Sequence, residues 1–292
     1  MHTVSWVSEQ IGLAPGTLRA WEQRYGVVRP TRSDGGYRLY DDHDLDTLRT
    51  MADLVAGGMQ PSLAAEQVRS GRTVPLREPN REAEGASGLP DPSALLAVSR
   101  GYDVRTLEEI LDAAFAGARF EYVVDVWLMA AMAAVGDAWS AGDLDVAQEH
   151  FISAAVMRRL AAAFDAAGNA RGGRHVITGL APGSNHEIAT LAFATMLRRE
   201  GLRVTYLGPD LPVASWVKAV RTTRPAAVVV GAARRTDTEA ATAIVRALRV
   251  EAPHTAVYVG GPGAPAGHGL GGTTLAGSAA WLADTLAGTR TP

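Results

Sequence analysis

Residues 175–201 read HVITGLAPGSNHEIATLAFATMLRREG. HVITGL is a short apolar run of strand type, APGSNH is a turn containing Pro and Gly, and the remainder reads as a helix. Three further runs follow, VTYLG from 204, AAVVVGA from 226 and AVYVGG from 256, with helical stretches between them. Strand and helix in alternation predict a parallel sheet with crossover helices. The block 173–290 is long enough for five strands, doubly wound. His186 falls at the loop-to-helix junction, at the carboxyl end of the first strand. That edge is where doubly wound sheets take ligands, and a neutral imidazole there suits a borderline transition metal. YVGGPGAP follows the last strand, and its Gly-rich backbone permits close approach of a large ligand. Neither GxGxxG nor GxxxxGK[ST] stands at a strand–helix junction, so no nucleotide signature is present.

Upstream, residues 93–170 are rich in Ala and Leu at helical spacing, with Leu107, Ile110, Leu111 and Ala114 repeating at three and four. Within them, VGDAWSAGDLDVAQEHFISAAVMRRL spans 135–160. Trp139 ends one helix at Gly142, and a second helix starts near Val146 with Glu149 and His150 in its first turns. These side chains can converge at one end of a bundle; Trp139 alone reads equally as core packing. Residues 73–92, TVPLREPNREAEGASGLPDP, have no apolar period and read as a linker.

Residues 1–72 hold most of the clustered Arg and Tyr. Val4, Val7 and Ile11 share one helix face, Gly12 breaks it, and Pro15 suits the first turn of a helix bearing Leu18, Trp21 and Tyr25. Arg32 and Arg38 flank a Gly35-Gly36 turn with Tyr37 and Tyr40 alongside, the pattern of a short hairpin, or wing. Five Arg stand between 19 and 38 against Glu22 and Asp34, leaving the face locally +3. Arg19 and Tyr25 are placed to read base edges and Tyr37 and Arg38 to position phosphates, with Arg24 and Arg32 as further DNA contacts. The bland alternative is a solvated Arg-rich surface. Trp6, Trp21 and Leu39 are expected in the core.

The whole chain has 292 residues, net charge -3, 47% hydrophobic and 20% charged residues, and no cysteine. It is globular by composition, and any nucleic-acid site must be local. Disulfides, thiolate metal sites and thiol nucleophiles are excluded. The start lacks a signal-peptide pattern, and the longest uncharged apolar stretch, 126–136, is too short to cross a bilayer. The expectation is a cytoplasmic protein with no membrane partner.

LRAWEQRYGVVRPTR and GYRLYDDHDLDTLR closely resemble the DNA-binding head of MerR-type regulators. That resemblance implies a winged helix-turn-helix bound as a pair to a two-fold double-stranded operator. Metal sensors of that type dimerise through a long helix and bind metal through cysteines; here the linker and the absence of cysteine place oligomerisation and signal elsewhere. The middle and last blocks resemble the cobalamin-binding module of methionine synthase and corrinoid proteins, a four-helix cap followed by a Rossmann-like, flavodoxin-like domain. Its cap pattern falls on Trp139, Gly142, Ala147, Glu149, His150 and Ser153. Its Asp-x-His-x-x-Gly motif falls on Ser184, Asn185, His186, Glu187 and Ala189. Gly260 and Gly261 match its later nucleotide-tail motif. The resemblance makes His186 the lower cobalt ligand. Ser184 stands where an Asp usually orients that histidine, and Ala189 where a Gly usually stands. After VVV, Gly231-Ala232 replace a small hydroxyl residue, followed by Arg234 and Arg235.

The order of parts is similar to that of the adenosylcobalamin-dependent, light-sensing MerR-type repressors (CarH and LitR light sensors). There the upper adenosyl group lies under the cap tryptophan near the Glu-His pair. Cofactor binding assembles a homo-oligomer, dimer or tetramer, and light undoes it. Some members carry a His directly after the Trp; here Ser140 stands there. The resemblance therefore implies a cofactor-controlled repressor. The alternative is a regulator whose pocket takes another small molecule, a non-covalent bilin, or nothing. A corrinoid methyltransferase subunit leaves the DNA-binding head unexplained, so no enzyme activity is expected.

Overall fold

The computed structural model describes residues 1–33, 36–70, 88–170 and 172–288, and the chain divides into two compact units, Met1–Gly168 and Asn169–Pro292. Residues 73–87 of the expected linker, and Gly35 of the expected hairpin turn, lie outside the described residues.

The first unit opens with β1 (His2–Thr3), α1 (Val4–Ile11), α2 (Pro15–Tyr25), β2 (Thr31–Arg32), β3 (Arg38–Tyr40), α3 (Asp42–Ala56) and α4 (Pro61–Arg69). Local chemistry sets the boundaries. The Thr3 hydroxyl accepts from Trp6 N–H at the start of α1, and Gly12 ends that helix at φ 78. Pro15 opens α2, where its missing N–H is no loss. Asp41 and Asp44 cap α3 reciprocally. The strands form an antiparallel sheet in the order β1-β3-β2, so the wing is β2 and β3. Val7, Leu18, Trp21, Tyr40, Leu48 and Met51 fill the core.

Two core expectations are corrected. Trp6 is 38% exposed and stacks on His2, with ring centroids 3.9 Å apart. Leu39 is only half-buried, because Tyr40 takes the inward position on β3.

The helical middle follows: α5 (Ala94–Ser99), α6 (Val104–Gly117), α7 (Phe120–Tyr122), a π-helical segment Val123–Leu128, α8 (Met129–Ala141) and α9 (Val146–Ala166). α5 packs on α6, α8 and α9, and both α6 and α8 pack on α9. From α7 to α8 the helix is continuous over Phe120–Ala141. Its 22 residues are long and apolar enough, by length and composition, to cross a membrane. The expectation from 126–136 alone underestimated it, because the helix runs through Asp125 and Asp137. In the fold its Val123, Val124, Trp127, Leu128, Ala131 and Val135 are buried.

α9 also reaches the N-terminal block. α3 packs against it, and Ala166 belongs to the same core as Val7 and Leu48. Arg159 on α9 is 4% exposed; it donates to the Gly58 carbonyl at 3.1 Å and pairs with Glu108 at 3.0 Å and Asp112 at 2.7 Å on α6.

The second unit is a parallel sheet of β4 (His175–Leu180), β5 (Arg203–Tyr206), β6 (Ala227–Gly231) and β7 (Ala256–Gly260), in the order β5-β4-β6-β7. Val176 pairs with both Val204 and Ala227. Helices α10 (Glu187–Arg199), α11 (Val213–Thr223), α12 (Thr238–Glu251) and α13 (Leu275–Ala287) connect and cover it, α10 packing on α13 and α11 on α12. The expected fifth strand is absent among the described residues. After β7 the chain runs GPGAPAGHGLGGTT over 261–274, and only an isolated parallel bridge, Val259 to Gly269, forms there. Gly and Pro weaken strand formation in that stretch. The chain leaves β4 in one direction for β5, then returns past β4 to β6. The topological switch point is therefore at the carboxyl ends of β4 and β6.

Candidate functional site

The residues expected to meet DNA divide into two groups. Arg19 and Arg24 are exposed on α2, Arg32 is exposed on β2, and Tyr37 is 73% exposed beside the wing turn. Arg32 also donates to the Gly36 carbonyl at 3.4 Å. The other two are partly committed to the fold. Tyr25 packs its half-buried ring on the core. Arg38 Nε lies 2.7 Å from Glu22 Oε2 and 3.1 Å from Oε1, so its guanidinium ties β3 to α2. Tyr40 OH reaches the same carboxylate at 3.4 Å. Burial, then the Glu22 charge, pushes the Tyr40 phenol up to about 12. At the other end of this sheet, His2 Nε2 sits 2.8 Å from Asp42 Oδ1 and holds that carboxyl below its usual range.

In the helical middle, Gly142 takes φ 82 and closes α8 three residues after Trp139. Asp145 and Gln148 cap α9 reciprocally. Trp139 is 48% exposed, so core packing does not account for it. Glu149 accepts from the Ser153 hydroxyl at 2.5 Å, one turn along α9. His150 is exposed, its Nε2 3.5 Å from Glu149 Oε2. Ser140 donates to the Asp137 carbonyl at 2.9 Å, a bond within its own helix.

At the carboxyl edge of the sheet, the loop 181–186 is fastened from both sides. Ala181 N–H donates to the Gly231 carbonyl at 3.0 Å. Gly183 N–H donates to Asp210 Oδ1 at 2.7 Å, and Asp210 N–H returns to the Ser184 carbonyl at 3.0 Å. Ser184 Oγ donates to Asp237 Oδ2 at 2.9 Å. Asn185 and His186 are exposed, and His186 occupies the N-cap position of α10. Glu187 Oε2 accepts from Tyr206 OH at 2.8 Å; burial, then that bond, drives the phenol far above its usual pKa. Glu187 is thus engaged by β5. Gly260 and Gly261 bring backbones together. The Gly260 carbonyl accepts from Ala232 N–H at 2.8 Å, and a Cβ on Gly261 would fall 2.4 Å from the Ala232 carbonyl oxygen. At this point the loop after β6 packs close against the backbone that follows β7. Open space lies instead at Gly183 and Gly208, where an added Cβ meets nothing within 4 Å. Arg234 and Arg235 are exposed. Sequence reasoning missed Asp210 and Asp237, which carried no motif of their own.

The donor set fits a metal of a particular kind. Among the described residues no three His, Asp or Glu side chains gather in a way that could hold a bare ion. One exposed imidazole on a rigid edge suits a metal that brings its remaining ligands in a macrocycle.

The comparisons with known proteins agree in order and extent with these parts. Residues 2–70 match the MerR HTH family regulatory protein family, and residues 95–163 and 174–270 match two B12 binding domain families. The HTH-type transcriptional repressor CarH of Myxococcus xanthus is 34% identical over 234 residues, 77% of this chain and 76% of the relative. CarA of the same organism, also an HTH-type transcriptional repressor, is 34% identical over 262 residues, 88% and 85% of the two chains. The monomethylamine corrinoid protein of Methanosarcina barkeri shares the fold at TM-score 0.52, with 19% identity, over 66% of this chain and 96% of that one. A MerR head, a helical B12-binding middle and a Rossmann-like B12-binding end, matched over most of their length to the two repressors, place this chain in the CarH/CarA family of HTH-type transcriptional repressors.

Proposed function

We propose that this repressor binds its operator as a homo-oligomer assembled by adenosylcobalamin and released by light, and that it works in the cytoplasm without enzyme activity. The observation that carries the reading is the exposed His186 imidazole on a loop fastened from both sides at the switch point. His186 would hold the cobalt. Asn185, Ser184 and the backbone at Gly260 and Gly261 shape the edge around it. Trp139, Glu149 and His150 would be the contacts that the helical block offers the cofactor. A bound adenosylcobalamin supplies a cobalt–carbon bond that visible light breaks. Ser140 carries no nitrogen donor, so His150 would be the imidazole that the helical block could offer to cobalt.

The DNA-binding half supplies the output. Arg19, Arg24, Arg32 and Tyr37 are the contacts to a duplex, and a two-fold operator requires two heads. When assembly brings heads together, a modest interface energy becomes a large change in operator occupancy.

The test is an absorption spectrum with a size-exclusion profile, with and without adenosylcobalamin, in darkness and after green light. The expected result is a retained corrin and a mass that falls on illumination, with His186→Ala weakening retention or changing the spectrum. No retention at all would favour the reading in which Ser184 and Ala189 mark a pocket turned to another ligand.

A further inference from the structure

Ser184 occupies the place where the cobalamin-binding motif carries an Asp, yet the loop does not lack a carboxylate. Asp237 reaches in from the loop after β6, on the far side of the switch point. Ser184 is 2% exposed and Asp237 8% exposed, and they meet at 2.9 Å. Asp237 Oδ2 also accepts from Arg234 N–H at 3.1 Å. The two donors on this buried oxygen are a hydroxyl and an amide, both uncharged, so among the described residues hydrogen bonds rather than an ion pair offset the desolvation of the carboxylate. Such a group is costly unless its hydrogen bonds are made, and making them fixes Ser184. Ser184 is held as well through its carbonyl by Asp210, whose φ of 48 is unusual for a residue with a side chain. Two residues further on, the same segment presents His186.

We infer that Asp237 is the positioning residue for His186, acting through Ser184 from the neighbouring loop, so that the carboxylate the motif carries at position 184 is supplied here from position 237. Ligand-orienting groups of this kind set both the direction and the donor strength of a metal-bound imidazole. A carboxylate supplied from the neighbouring loop makes the Ser184 departure compatible with an ordered histidine. The inference rests on the corrinoid reading for one of its two readouts and is independent of it for the other.

The experiment compares the full-length parent with Asp237→Ala, Asp237→Asn, Ser184→Ala and the exchange variant Ser184→Asp/Asp237→Ser. The first readout is amide hydrogen exchange across 181–187 in the cofactor-free protein. The second is the electron paramagnetic resonance spectrum of bound cob(II)alamin, in which an axial nitrogen splits the cobalt lines. Asp237→Ala and Ser184→Ala are expected to speed exchange at Ser184–Glu187 at least tenfold and to at least halve the imidazole-ligated fraction. Asp237→Asn, which keeps shape and acceptor, is expected to fall between parent and Asp237→Ala. The exchange variant is expected to restore both readouts, which a merely structural loss would not allow. If Asp237→Asn and Ser184→Ala match the parent within twofold in both readouts, the inference is overturned. If the parent itself retains no corrin, the cofactor reading fails, and the amide exchange alone decides whether Asp237 orders the loop.

Discussion

Arg38 shows how a single neighbour changes what a residue is for. From the sequence it was one of five arginines on a basic face. In the fold its charge is matched by Glu22, sixteen residues away, and Tyr40 leans on the same carboxylate. A phosphate contact by an unpaired arginine releases about one counterion, so its removal cuts the salt slope by about one. Arg24→Ala and Arg32→Ala are expected to do that, lowering affinity for all sequences alike. Arg38→Ala is expected to weaken binding by loosening the wing from α2 while leaving the slope near the parent value. Titration of a labelled operator at several salt concentrations separates the two outcomes; a slope lowered by a full unit in Arg38→Ala would make it a phosphate contact after all. Gly12, Pro15 and Gly142 were legible because each acts on its own helix end. Glu22 with Arg38, and Ser184 with Asp237, were not, since partners 16 and 53 residues apart leave no periodic trace.

At the scale of elements, strand and helix alternation told the class and order of the sheet domain, and apolar spacing told the helical middle. What it could not tell was where pairing stops. The segment after β7 has enough residues for a strand but too much Gly and Pro. Close packing between elements was likewise invisible. Gly58 sits in the α3–α4 turn at φ 92, and an added Cβ would fall 2.2 Å from Cδ1 of the buried Phe115 ring on α6. Overpacking of that kind costs roughly 1–3 kcal/mol, with backbone strain in addition. Gly58→Ala is therefore expected to lower the urea midpoint of the Met1–Gly168 unit, and an unchanged midpoint would show that Phe115 moves freely. In the sheet, His175 at the start of β4 bonds Thr205 on β5 at 2.9 Å. Burial first, and the Arg203 charge second, hold its pKa below the usual value. The unfolded chain takes up this proton near pH 6.5, and the folded chain resists it. The stabilising contribution is thus complete above about pH 6.5 and declines below it as the unfolded state binds the proton first. Thermal unfolding of the parent is expected to lose more midpoint between pH 7.5 and 5.5 than His175→Gln. Equal losses would remove His175 from the account.

On the scale of the whole molecule, the Met1–Gly168 unit joins a DNA-binding block to a helical block, and Arg159 is where charge crosses between them. Its guanidinium is buried on α9, bonded to the Gly58 carbonyl beyond α3 and paired with Glu108 and Asp112 of α6. Asp112 Oδ1 lies at ion-pair distance but off-line for a hydrogen bond, and burial outweighs Arg159 in raising its pKa. Such a cluster contributes little net energy while intact, because desolvation offsets attraction. Breaking it is different. Arg159→Met strands Asp112 without its cation and leaves Glu108 with only the exposed Arg158 at 3.5 Å, and losing one partner of a buried pair costs about 3–5 kcal/mol. The same change removes the bond to Gly58 and leaves apolar packing, such as α3 and Ala166 on α9 and Gly58 beside the Phe115 ring, to hold the two blocks together. The expected result is that unfolding of this unit, cooperative in the parent, splits into two calorimetric transitions, the DNA-binding block melting first. Arg159→Met with Glu108→Leu and Asp112→Leu removes the stranded charges. It is expected to recover most of the midpoint but not the single transition, because the Gly58 bond stays lost. A single transition in both variants would mean that apolar contacts along α9 alone hold the blocks together.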